Sequence, residues 1–229
     1  MTYPALPRRG TFITGTDTGV GKTYLGALLI RELCARGIRV SPRKPVESGC
    51  ALRDGQPWPA DAAALRAAGR DETPLTQVCP WRLRAPISPE RAAAREGVLL
   101  DRRMLVEACS MPAEDFGVIE GAGGLYSPLA RDALNVDLCT AVGLPLVIVA
   151  ADRLGCLNHT LLSCAAARAH GLAVAAVVVN RLSPGADRDM GNREELAARL
   201  DLTVLELPYR ARPDAPAIRA LADLLTADR

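Results

Sequence analysis

Two lysines lie beside glycine-rich segments in this chain, and every other basic residue is an arginine. Of the 28 Lys and Arg residues in the 229-residue chain, only Lys22 and Lys44 are lysines. An ammonium group is a compact point charge, whereas a guanidinium is planar and wide. An arginine-biased genome would by itself give a high ratio of arginine to lysine. The residues around both lysines nevertheless indicate a chemical role.

The first lysine lies in a segment that predicts a phosphate-binding loop. Residues 14–23 read Thr-Gly-Thr-Asp-Thr-Gly-Val-Gly-Lys-Thr, and the glycines permit dihedral angles that turn successive N–H groups inward. A helix that begins near Gly21 would point its positive end at the same place. In this pattern Lys22 reaches the β- and γ-phosphates and the Thr23 hydroxyl holds Mg²⁺. Five residues rather than the generic four separate Gly15 from Gly21.

The second lysine opens the segment Lys-Pro-Val-Glu-Ser-Gly at 44–49. Because the proline ring pushes the preceding residue into an extended conformation, we expect Lys44 at a strand exit with its direction fixed. The alternative is an exposed surface lysine. Ligands of open parallel sheets bind beyond the carboxyl ends of strands, where Glu120, Asp152 and Asn180 are also predicted to lie.

Two carboxylates have competing interpretations. Glu120 is either a solvated carboxylate at a strand end or a Mg²⁺ ligand or base across from the loop, and the glycines after it favour the second by admitting a ligand to the backbone. Asp61 precedes an alanine-rich stretch, as a helix N-cap does. This pattern alone indicates a cap, and it leaves open a second use of the same carboxylate.

The elements that must position these residues alternate between strand and helix. Apolar runs such as 146–149 and 174–179 are typical of a parallel sheet covered on both faces. We therefore predict an α/β fold like that of P-loop-containing nucleotide hydrolases, with a central, mostly parallel sheet and helices on both faces. The predicted strands are 11–14, 39–42, 116–120, 145–151, 174–180 and 203–207. The predicted helices are 24–36, 61–68, 89–96, 102–109, 158–170, 192–200 and 215–227, and the least regular stretch is 48–89.

Composition excludes several classes of protein. The chain is 49% hydrophobic, so residues 1–229 are expected to form one domain with a substantial core. A net charge of +2 and 3% aromatic residues argue against nucleic-acid binding. The longest apolar run, 144–151, is too short to span a membrane and residues 1–10 have no apolar signal segment, so we expect a cytoplasmic protein.

The cysteines predict neither a zinc site nor a redox motif. There are seven, with no Cys-x-x-Cys pair, and the chain has two histidines. We expect them to be reduced and mostly part of the core. They are Cys34, Cys50, Cys79, Cys109, Cys139, Cys156 and Cys164.

Four segments, in this order, resemble dethiobiotin synthetase, the ATP-dependent family that closes the ureido ring in biotin synthesis. They are 14–23, 44–49, Val-Ile-Glu-Gly-Ala-Gly-Gly at 118–124, and Arg-Leu-Gly-Cys-Leu-Asn-His at 153–159. Asn180 at a strand end is a fifth, weaker match, so the resemblance spans most of the chain.

The resemblance implies a ligase that uses ATP, or another NTP, together with Mg²⁺. Its small-molecule substrates would be 7,8-diaminononanoate and CO₂ or bicarbonate. The 7-amino group captures CO₂ as a carbamate, the nucleotide phosphorylates it to a mixed anhydride, and the 8-amino group closes the ring to give dethiobiotin, ADP and phosphate. The resemblance also implies a homodimer whose contact holds the substrate carboxylate near the helix after the 153–159 segment, where Asn158 either caps that helix or touches the substrate.

The resemblance further implies a role for each matching residue. The catalytic residues are Lys44, Lys22 and Thr18. The substrate-binding residues are Ser48, Thr18, Lys44 and Asn158. The metal ligands are Thr23, Asp61 and Glu120. The nucleotide-binding residues are Gly19, Val20, Gly21, Lys22, Thr23, Tyr24, Glu120, Gly121, Ala122, Gly123, Asn180, Arg181, Pro208 and Tyr209.

Two departures from the family pattern leave the preferred base open. Gly19 lacks the carboxylate that some members carry at that position. Asn180 is followed by Arg181 rather than by an acidic residue, so the arginine either favours another base or points to solvent. Pro208 and Tyr209 lie where the family often has a proline with an aromatic or hydrophobic neighbour in the base pocket.

Two other classes of protein fit less well. A regulatory P-loop ATPase of the partitioning or septum-positioning type would need a lysine five positions before Lys22, where this chain has Asp17. It would also need a basic amphipathic C-terminus, but 217–229 contains only Arg219 and Arg229. The related amide-forming synthetases of corrin biosynthesis carry a glutamine-hydrolysing domain for which 229 residues leave no room.

Overall fold

We describe the protein from a computed structural model over residues 6, 7, 9–69, 72–184 and 190–227. Residues 1–5, 8 and Arg229, which entered the predictions above, lie outside the described residues. The elements in chain order are β1 (Arg9–Gly15), α1 (Lys22–Ala35), β2 (Val40–Arg43), β3 (Val46–Glu47), β4 (Ala51–Arg53), β5 (Gln56–Trp58), α2 (Ala60–Gly69), α3 (Leu75–Val78), β6 (Trp81–Arg82), α4 (Pro89–Arg95), α5 (Arg102–Glu107), β7 (Phe116–Gly124), β8 (Pro128–Ala130), β9 (Ala133–Leu134), α6 (Asn135–Val142), β10 (Leu146–Ala151), α7 (Cys156–Ala169), β11 (Val174–Asn180), α8 (Asn192–Arg199), β12 (Thr203–Leu207) and α9 (Pro216–Thr226).

A six-stranded parallel sheet organises these elements, in the order β12-β11-β10-β1-β7-β2. β1 is central, with β7 and then β2 on one side and β10, β11 and β12 on the other. Because all six strands run the same way, their carboxyl ends lie at one edge. Residues following β1 therefore lie between those following β2 and β7 and those following β10 and β11.

Helices cover both faces of the sheet, as the continuous apolar strands predict. Ile13, Val118 and Val149 pack in one core cluster with buried residues of α1, α2 and α9. On the opposite face, Phe12 and Ile119 pack with residues of α4, α5 and α6, and a further cluster holds the β10 and β11 side chains against α7 and α8. The predicted α/β fold is confirmed.

The sequence patterns find every strand of the large sheet to within a few residues, but they miss shorter elements. α3, α6 and the three two-stranded sheets were not predicted. The hairpin of β4 and β5 turns at Asp54 and Gly55, both with positive φ (51° and 75°), which matches the Asp-Gly signal of a tight hairpin. This hairpin lies inside the stretch that we predicted to be least regular.

The seven cysteines, all within the described residues, form no disulfide, and six of them are buried. Burial raises the pKa of the Cys109 thiol, and it raises that of Cys164 to about 11. Over the residues that the structure describes, every helix is too short or too polar to cross a membrane.

Candidate active site

The loop between β1 and α1 is shaped to hold an anion. Gly19 and Gly21 have positive φ angles of 74° and 96°, and Gly21 is the N-cap of the 14-residue helix α1. A Cβ atom on Gly21 would lie 2.1 Å from Asn180 Nδ2, so space as well as conformation requires glycine there. The first N–H groups of α1 therefore face the loop, where a phosphate can accept from them.

Lys22 is buried at the end of this loop and, among the described residues, has no carboxylate in hydrogen-bond contact. Its Nζ donates to the backbone carbonyl of Asp17 at 2.9 Å. Burial, followed by repulsion from Lys44, lowers the pKa of Lys22 to about 8 from 10.5. A phosphate bound in the loop would supply the missing negative charge.

Lys44 is placed very differently, because it bridges two carboxylates. It directly follows β2, as predicted, and is only 3% exposed. Its Nζ donates to Asp61 Oδ2 at 3.0 Å and to Glu120 Oε1. The prediction of a strand-exit lysine with a fixed direction is confirmed, and the alternative of an exposed surface lysine is wrong.

These contacts change the acidity of the groups that make them. Burial alone would lower the pKa of Lys44, but attraction by Glu120 and Asp61 outweighs it and raises the pKa above the ordinary value. Burial alone would raise the pKa of Asp61, but attraction by Lys44 outweighs it and the pKa is lowered. At neutral pH the site therefore holds a charged ammonium and a charged carboxylate.

The residues expected to bind Mg²⁺ lie together and leave one acceptor unused. The Thr23 hydroxyl donates to Glu120 Oε1 at 2.9 Å, and Glu120 is fully buried at 0% exposure. Glu120 Oε2 is buried and has no hydrogen-bond partner in the part of the chain that the structure describes, which suits a cation ligand. The described residues contain no group of three or more His, Cys, Asp or Glu side chains that holds a metal alone. This set therefore fits an ion that arrives with a nucleotide and takes phosphate oxygens as its other ligands.

Asp61 does not cap a helix, so that interpretation is wrong. α2 begins at Ala60, and Asp61 lies inside its first turn. The first turn is capped instead by Glu47, whose Oε1 and Oε2 accept from the N–H groups of Asp61 and Ala62, each at 3.1 Å. Glu47 was not among the predicted site residues, because a cap supplied from 14 residues away has no local sequence signal.

A cavity of about 710 Å³ is lined both by the loop and by the cluster of Lys44, Asp61 and Glu120. It brings together many of the predicted site residues, and residues that the sequence did not indicate complete its wall. The predicted residues that line it are Thr18, Gly19, Gly21, Lys22, Thr23, Tyr24, Lys44, Ser48, Asp61, Glu120, Ala122 and Gly123. The additional lining residues are Glu47, Gly49, Pro86, Ile87, Ser88, Pro89, Ser127 and Pro128. The predicted residues outside this lining are Val20, Gly121, Asn158, Asn180, Arg181, Pro208 and Tyr209.

The glycines after Glu120 make room for protein groups. A Cβ on Gly121 would lie 2.4 Å from Asn135 Oδ1, and one on Gly123 would lie 2.2 Å from Ser127 Oγ. Asn135, at the start of the unpredicted α6, is fully buried and donates to Thr14 Oγ1 at 3.2 Å and to the Gly124 carbonyl at 3.1 Å. These packed glycines hold β7 close to β1 and so fix Glu120 opposite the loop.

Asn180 lies on the other side of the loop, at the end of β11. Its Nδ2 donates to the Val20 carbonyl at 2.9 Å, and its Oδ1 is buried without a partner. The next residue, Arg181, lies within 3.4 Å of Asp152 and 3.0 Å of Glu206, and its side chain is 27% exposed. Arg181 is therefore held between two carboxylates rather than pointing freely to solvent.

The segment after β12 closes toward α1. Tyr24 Oη donates to the Ala211 carbonyl at 2.6 Å. Tyr209 is 37% exposed, and the guanidinium of Arg210 lies 5.3 Å from its ring centre. Tyr209 and its proline neighbour thus lie on the Asn180 side, away from Lys44.

Asn158 is not the cap of α7, so that alternative is wrong. The helix begins at Cys156 after Gly155, which takes a left-handed conformation (φ 92°) as N-cap. Asn158 is the third helical residue and is exposed, as is His159. With Gly155 as its N-cap, α7 begins earlier than a cap at Asn158 would place it.

A family model described as "AAA domain" matches residues 9–217. The chain is 44% identical over 200 residues to the ATP-dependent dethiobiotin synthetase BioD of Rhodopirellula baltica, covering 81% of this chain and 78% of that protein. It is 39% identical over 224 residues to the ATP-dependent dethiobiotin synthetase BioD of Anaeromyxobacter dehalogenans, covering 96% and 98%.

Solved structures support the fold at much lower identity. A ParA family ATPase from Chlorobium tepidum has a TM-score of 0.54 at 11% identity, covering 94% of this chain and 96% of that one. The MinC:MinD cell division complex of Aquifex aeolicus has a TM-score of 0.53 at 15% identity, covering 95% and 94%. This likeness extends to the α/β fold alone, whereas the curated relatives share sequence over nearly the whole chain. The chain belongs to the dethiobiotin synthetase family.

Proposed function

We propose that this chain closes the ureido ring of dethiobiotin from 7,8-diaminononanoate and CO₂, with ATP converted to ADP and phosphate. The observation that carries the proposal is the position of Lys44, buried between Asp61 and Glu120 in the wall of a cavity that the P-loop also lines. A second buried cation suits a reaction in which another anion meets the γ-phosphate.

The loop residues bind and orient the triphosphate. The backbone N–H groups of Gly19, Val20, Gly21 and the first turn of α1 donate to the phosphate oxygens, and Lys22 exchanges its Asp17 carbonyl contact for phosphate oxygens. Thr23, Asp61 and Glu120 are the proposed ligands of Mg²⁺. When bound, the ion would neutralise phosphate charge and fix the γ-phosphate for in-line transfer.

The diamine is proposed to lie along the other half of the cavity. Thr18 and Ser48 line it and would contact the two amino groups, while Pro86 and Ile87 provide apolar wall for the carbon chain. The buried and charged Lys44 attracts the carbamate oxygen and holds it beside the γ-phosphate, and Thr18 completes the proposed catalytic set with the two lysines.

Three steps then follow in this cavity. The 7-amino group adds to CO₂ and loses a proton, which forms the carbamate. The carbamate oxygen attacks the γ-phosphorus and the bond to ADP breaks, giving a carbamic-phosphoric anhydride whose charge Lys22 and Lys44 stabilise. The 8-amino group attacks the carbamoyl carbon, phosphate leaves and the ring closes with loss of a proton.

The base is proposed to lie beyond the loop, among Asn180, Arg181, Pro208 and Tyr209. Because Asn180 Nδ2 is already bonded to the Val20 carbonyl, its free Oδ1 is an acceptor. An acceptor pairs with a base that carries an exocyclic amino group, as adenine does. This supports ATP over nucleotides with a carbonyl at that position.

The working protein is proposed to be a cytoplasmic homodimer. Two exposed leucines, Leu154 at 91% and Leu162 at 61%, lie just before and within α7. A second copy that covered them would bring the start of α7, with Asn158, toward a neighbouring cavity. Light scattering after gel filtration measures the mass that tests this.

The deciding experiment measures phosphate release from ATP, Mg²⁺ and bicarbonate with and without 7,8-diaminononanoate, followed by mass analysis for dethiobiotin. We expect release that depends on the diamine and yields the ring product. Release that is indifferent to the diamine would contradict the proposal and favour a regulatory ATPase. Lys44→Gln is the informative companion variant, because it should stop product formation while nucleotide still binds.

A further inference from the structure

Glu47 is a buried carboxylate in the cavity wall that no step above uses. It occupies the fourth position of the Lys-Pro-Val-Glu-Ser-Gly segment and is 7% exposed. Its backbone belongs to β3, and its carbonyl accepts from the N–H of Leu83 at 2.8 Å. The side chain therefore projects from a strand paired with β6 rather than from a free loop.

Both oxygens of Glu47 are bonded to the first turn of α2. Oε1 accepts from the N–H of Asp61 and Oε2 from the N–H of Ala62, each at 3.1 Å. A carboxylate bonded in this way satisfies two helix donors and complements the positive end of the helix. The bonds also fix the distance between the backbone of Glu47 and the turn that carries the Asp61 side chain.

The Asp61 side chain needs such support, because it is 45% exposed and reaches into the cavity from a helix end. Its Oδ2 is 3.0 Å from Lys44 Nζ. If the first turn of α2 loosened, the carboxylate would move relative to both Lys44 and Glu120. The rest of the cluster is anchored in the large sheet, so Asp61 is the member whose position depends on a cap.

We propose that Glu47 is a positioning residue for the metal site, which fixes Asp61 by holding the first turn of α2 through the N–H groups of Asp61 and Ala62. This inference rests on the proposed role of Asp61 as a Mg²⁺ ligand. Groups that orient a metal ligand typically change metal affinity or activity by about 10–100-fold when they are removed.

Two other roles for Glu47 make different predictions. As a substrate contact, it would set the KM for the diamine, although both of its oxygens are already bonded to the backbone. As a purely structural cap, it would change stability and nothing else. If only the negative charge of Glu47 near Lys44 mattered, Glu47→Asp would preserve that effect and Glu47→Gln would lose it.

Three variants separate these roles: Glu47→Ala, Glu47→Asp and Glu47→Gln. Alanine removes both acceptors, aspartate keeps the charge but is one methylene too short, and glutamine keeps the length with one acceptor. Asp101→Ala is the matched control, because Asp101 caps α5 by accepting from Met104 N at 2.9 Å and does not line the cavity. Asp61→Asn reports on the proposed metal ligand itself.

The readouts are the Mg²⁺ concentration at half-maximal diamine-dependent phosphate release, the KM for the diamine, Tm, and Mn²⁺ binding in the presence of ADP by electron paramagnetic resonance. We expect Glu47→Ala and Glu47→Asp to raise the half-saturating Mg²⁺ and the Mn²⁺ dissociation constant about tenfold, and Glu47→Gln about threefold. The diamine KM should change less than about twofold, and Asp101→Ala should lower Tm without moving either metal measure.

Several results would overturn the inference. They are an unchanged metal requirement in Glu47→Ala with a Tm loss like that of Asp101→Ala, a change confined to the diamine KM, or wild-type behaviour of Glu47→Asp with impairment of Glu47→Gln. If Asp61→Asn also left both metal measures unchanged, the proposed metal role of Asp61 would fail. If Asp61→Asn shifted both metal measures and the Glu47 variants did not, only the proposed role of Glu47 would be rejected.

Discussion

The two lysines of the chain line the same cavity, and their surroundings differ in a way that the sequence does not reveal. Lys22 donates to a backbone carbonyl, and burial together with Lys44 lowers its pKa to about 8. Lys44 donates to Asp61 and Glu120, which raise its pKa. Among the described residues, the Lys22 ammonium therefore has no carboxylate in hydrogen-bond contact, whereas the Lys44 ammonium has two.

This difference separates binding from chemistry. An ammonium that donates only to a carbonyl gains most from an anionic ligand, so Lys22 suits the capture of a triphosphate. A lysine already neutralised by fixed carboxylates gains less from binding, but it is preorganised at one position. Preorganised charge lowers a barrier without reorganisation cost, which suits Lys44 to the transfer step.

Removal of Lys22 should have the largest effect. Lys22→Ala leaves the loop without its cation, so we expect nucleotide turnover to fall about a thousandfold and nucleotide affinity to fall with it. Steady-state phosphate release and calorimetric binding measure the two quantities. Wild-type turnover in this variant would remove Lys22 from the mechanism.

Removal of Lys44 should separate product formation from nucleotide binding. In Lys44→Gln we expect product formation to fall about a hundredfold while the nucleotide dissociation constant changes less than about threefold, because the loop is intact. Dethiobiotin formation by mass spectrometry and nucleotide binding by calorimetry are the measurements. A loss of affinity as large as that in Lys22→Ala would erase the distinction between the two lysines.

The lowered pKa of Lys22 predicts that nucleotide binding depends on pH. The folded pKa of Lys22, about 8, lies below its ordinary value, and bound phosphate favours the charged form. Binding of ADP without Mg²⁺ should therefore be tight below this pH, weaken about tenfold between about pH 7 and pH 9, and take up a proton at the higher pH. Calorimetry in buffers of different ionisation enthalpy measures the uptake. Because repulsion from Lys44 contributes to the lowered pKa of Lys22, Lys44→Gln should keep this transition but move it to higher pH. Equal affinity of the wild-type protein at both pH values would contradict the assignment.

The smallest expected effect concerns the base side of the loop. Asn180→Ala removes the acceptor Oδ1, so the preference for ATP over ITP, which has a carbonyl in place of the amino group, should fall about fivefold. Asn192→Ala, which removes a buried amide bonded to Asp152 at 2.8 Å, is the matched control. The ratio of kcat/KM for the two nucleotides is the measurement, and an unchanged ratio in Asn180→Ala would place the base elsewhere.

The sequence predicts the surroundings of Lys22 better than those of Lys44. The loop is a local pattern, because its glycines, lysine and threonine lie within ten residues and its helix follows directly. Lys44, Asp61 and Glu120 come from three elements, and their meeting depends on the order of β1, β7 and β2. The family resemblance supplied that assembly, and residue patterns alone left Asp61 as a helix cap.

The misses concern contacts that bridge irregular segments. Glu47 caps α2 from a two-residue strand, and Asn135 fills the space left by Gly121 from a helix that was not predicted. Neither contact has a period or spacing in the sequence, because tertiary packing sets the register of such short pieces. The start of α7 was misplaced for a related reason, since Gly155 and Asn158 are both common cap residues and only the backbone chooses between them.

The scarcity of lysine has a spectroscopic consequence. Protein grown with isotope-labelled lysine would carry label at only two side chains, both of which line the cavity. A two-dimensional spectrum of the labelled amines would then contain one signal for Lys22 in the loop and one for Lys44 beside Asp61 and Glu120. Titration with nucleotide, diamine and Mg²⁺ would show in which order the two lysines respond, without the introduction of any probe.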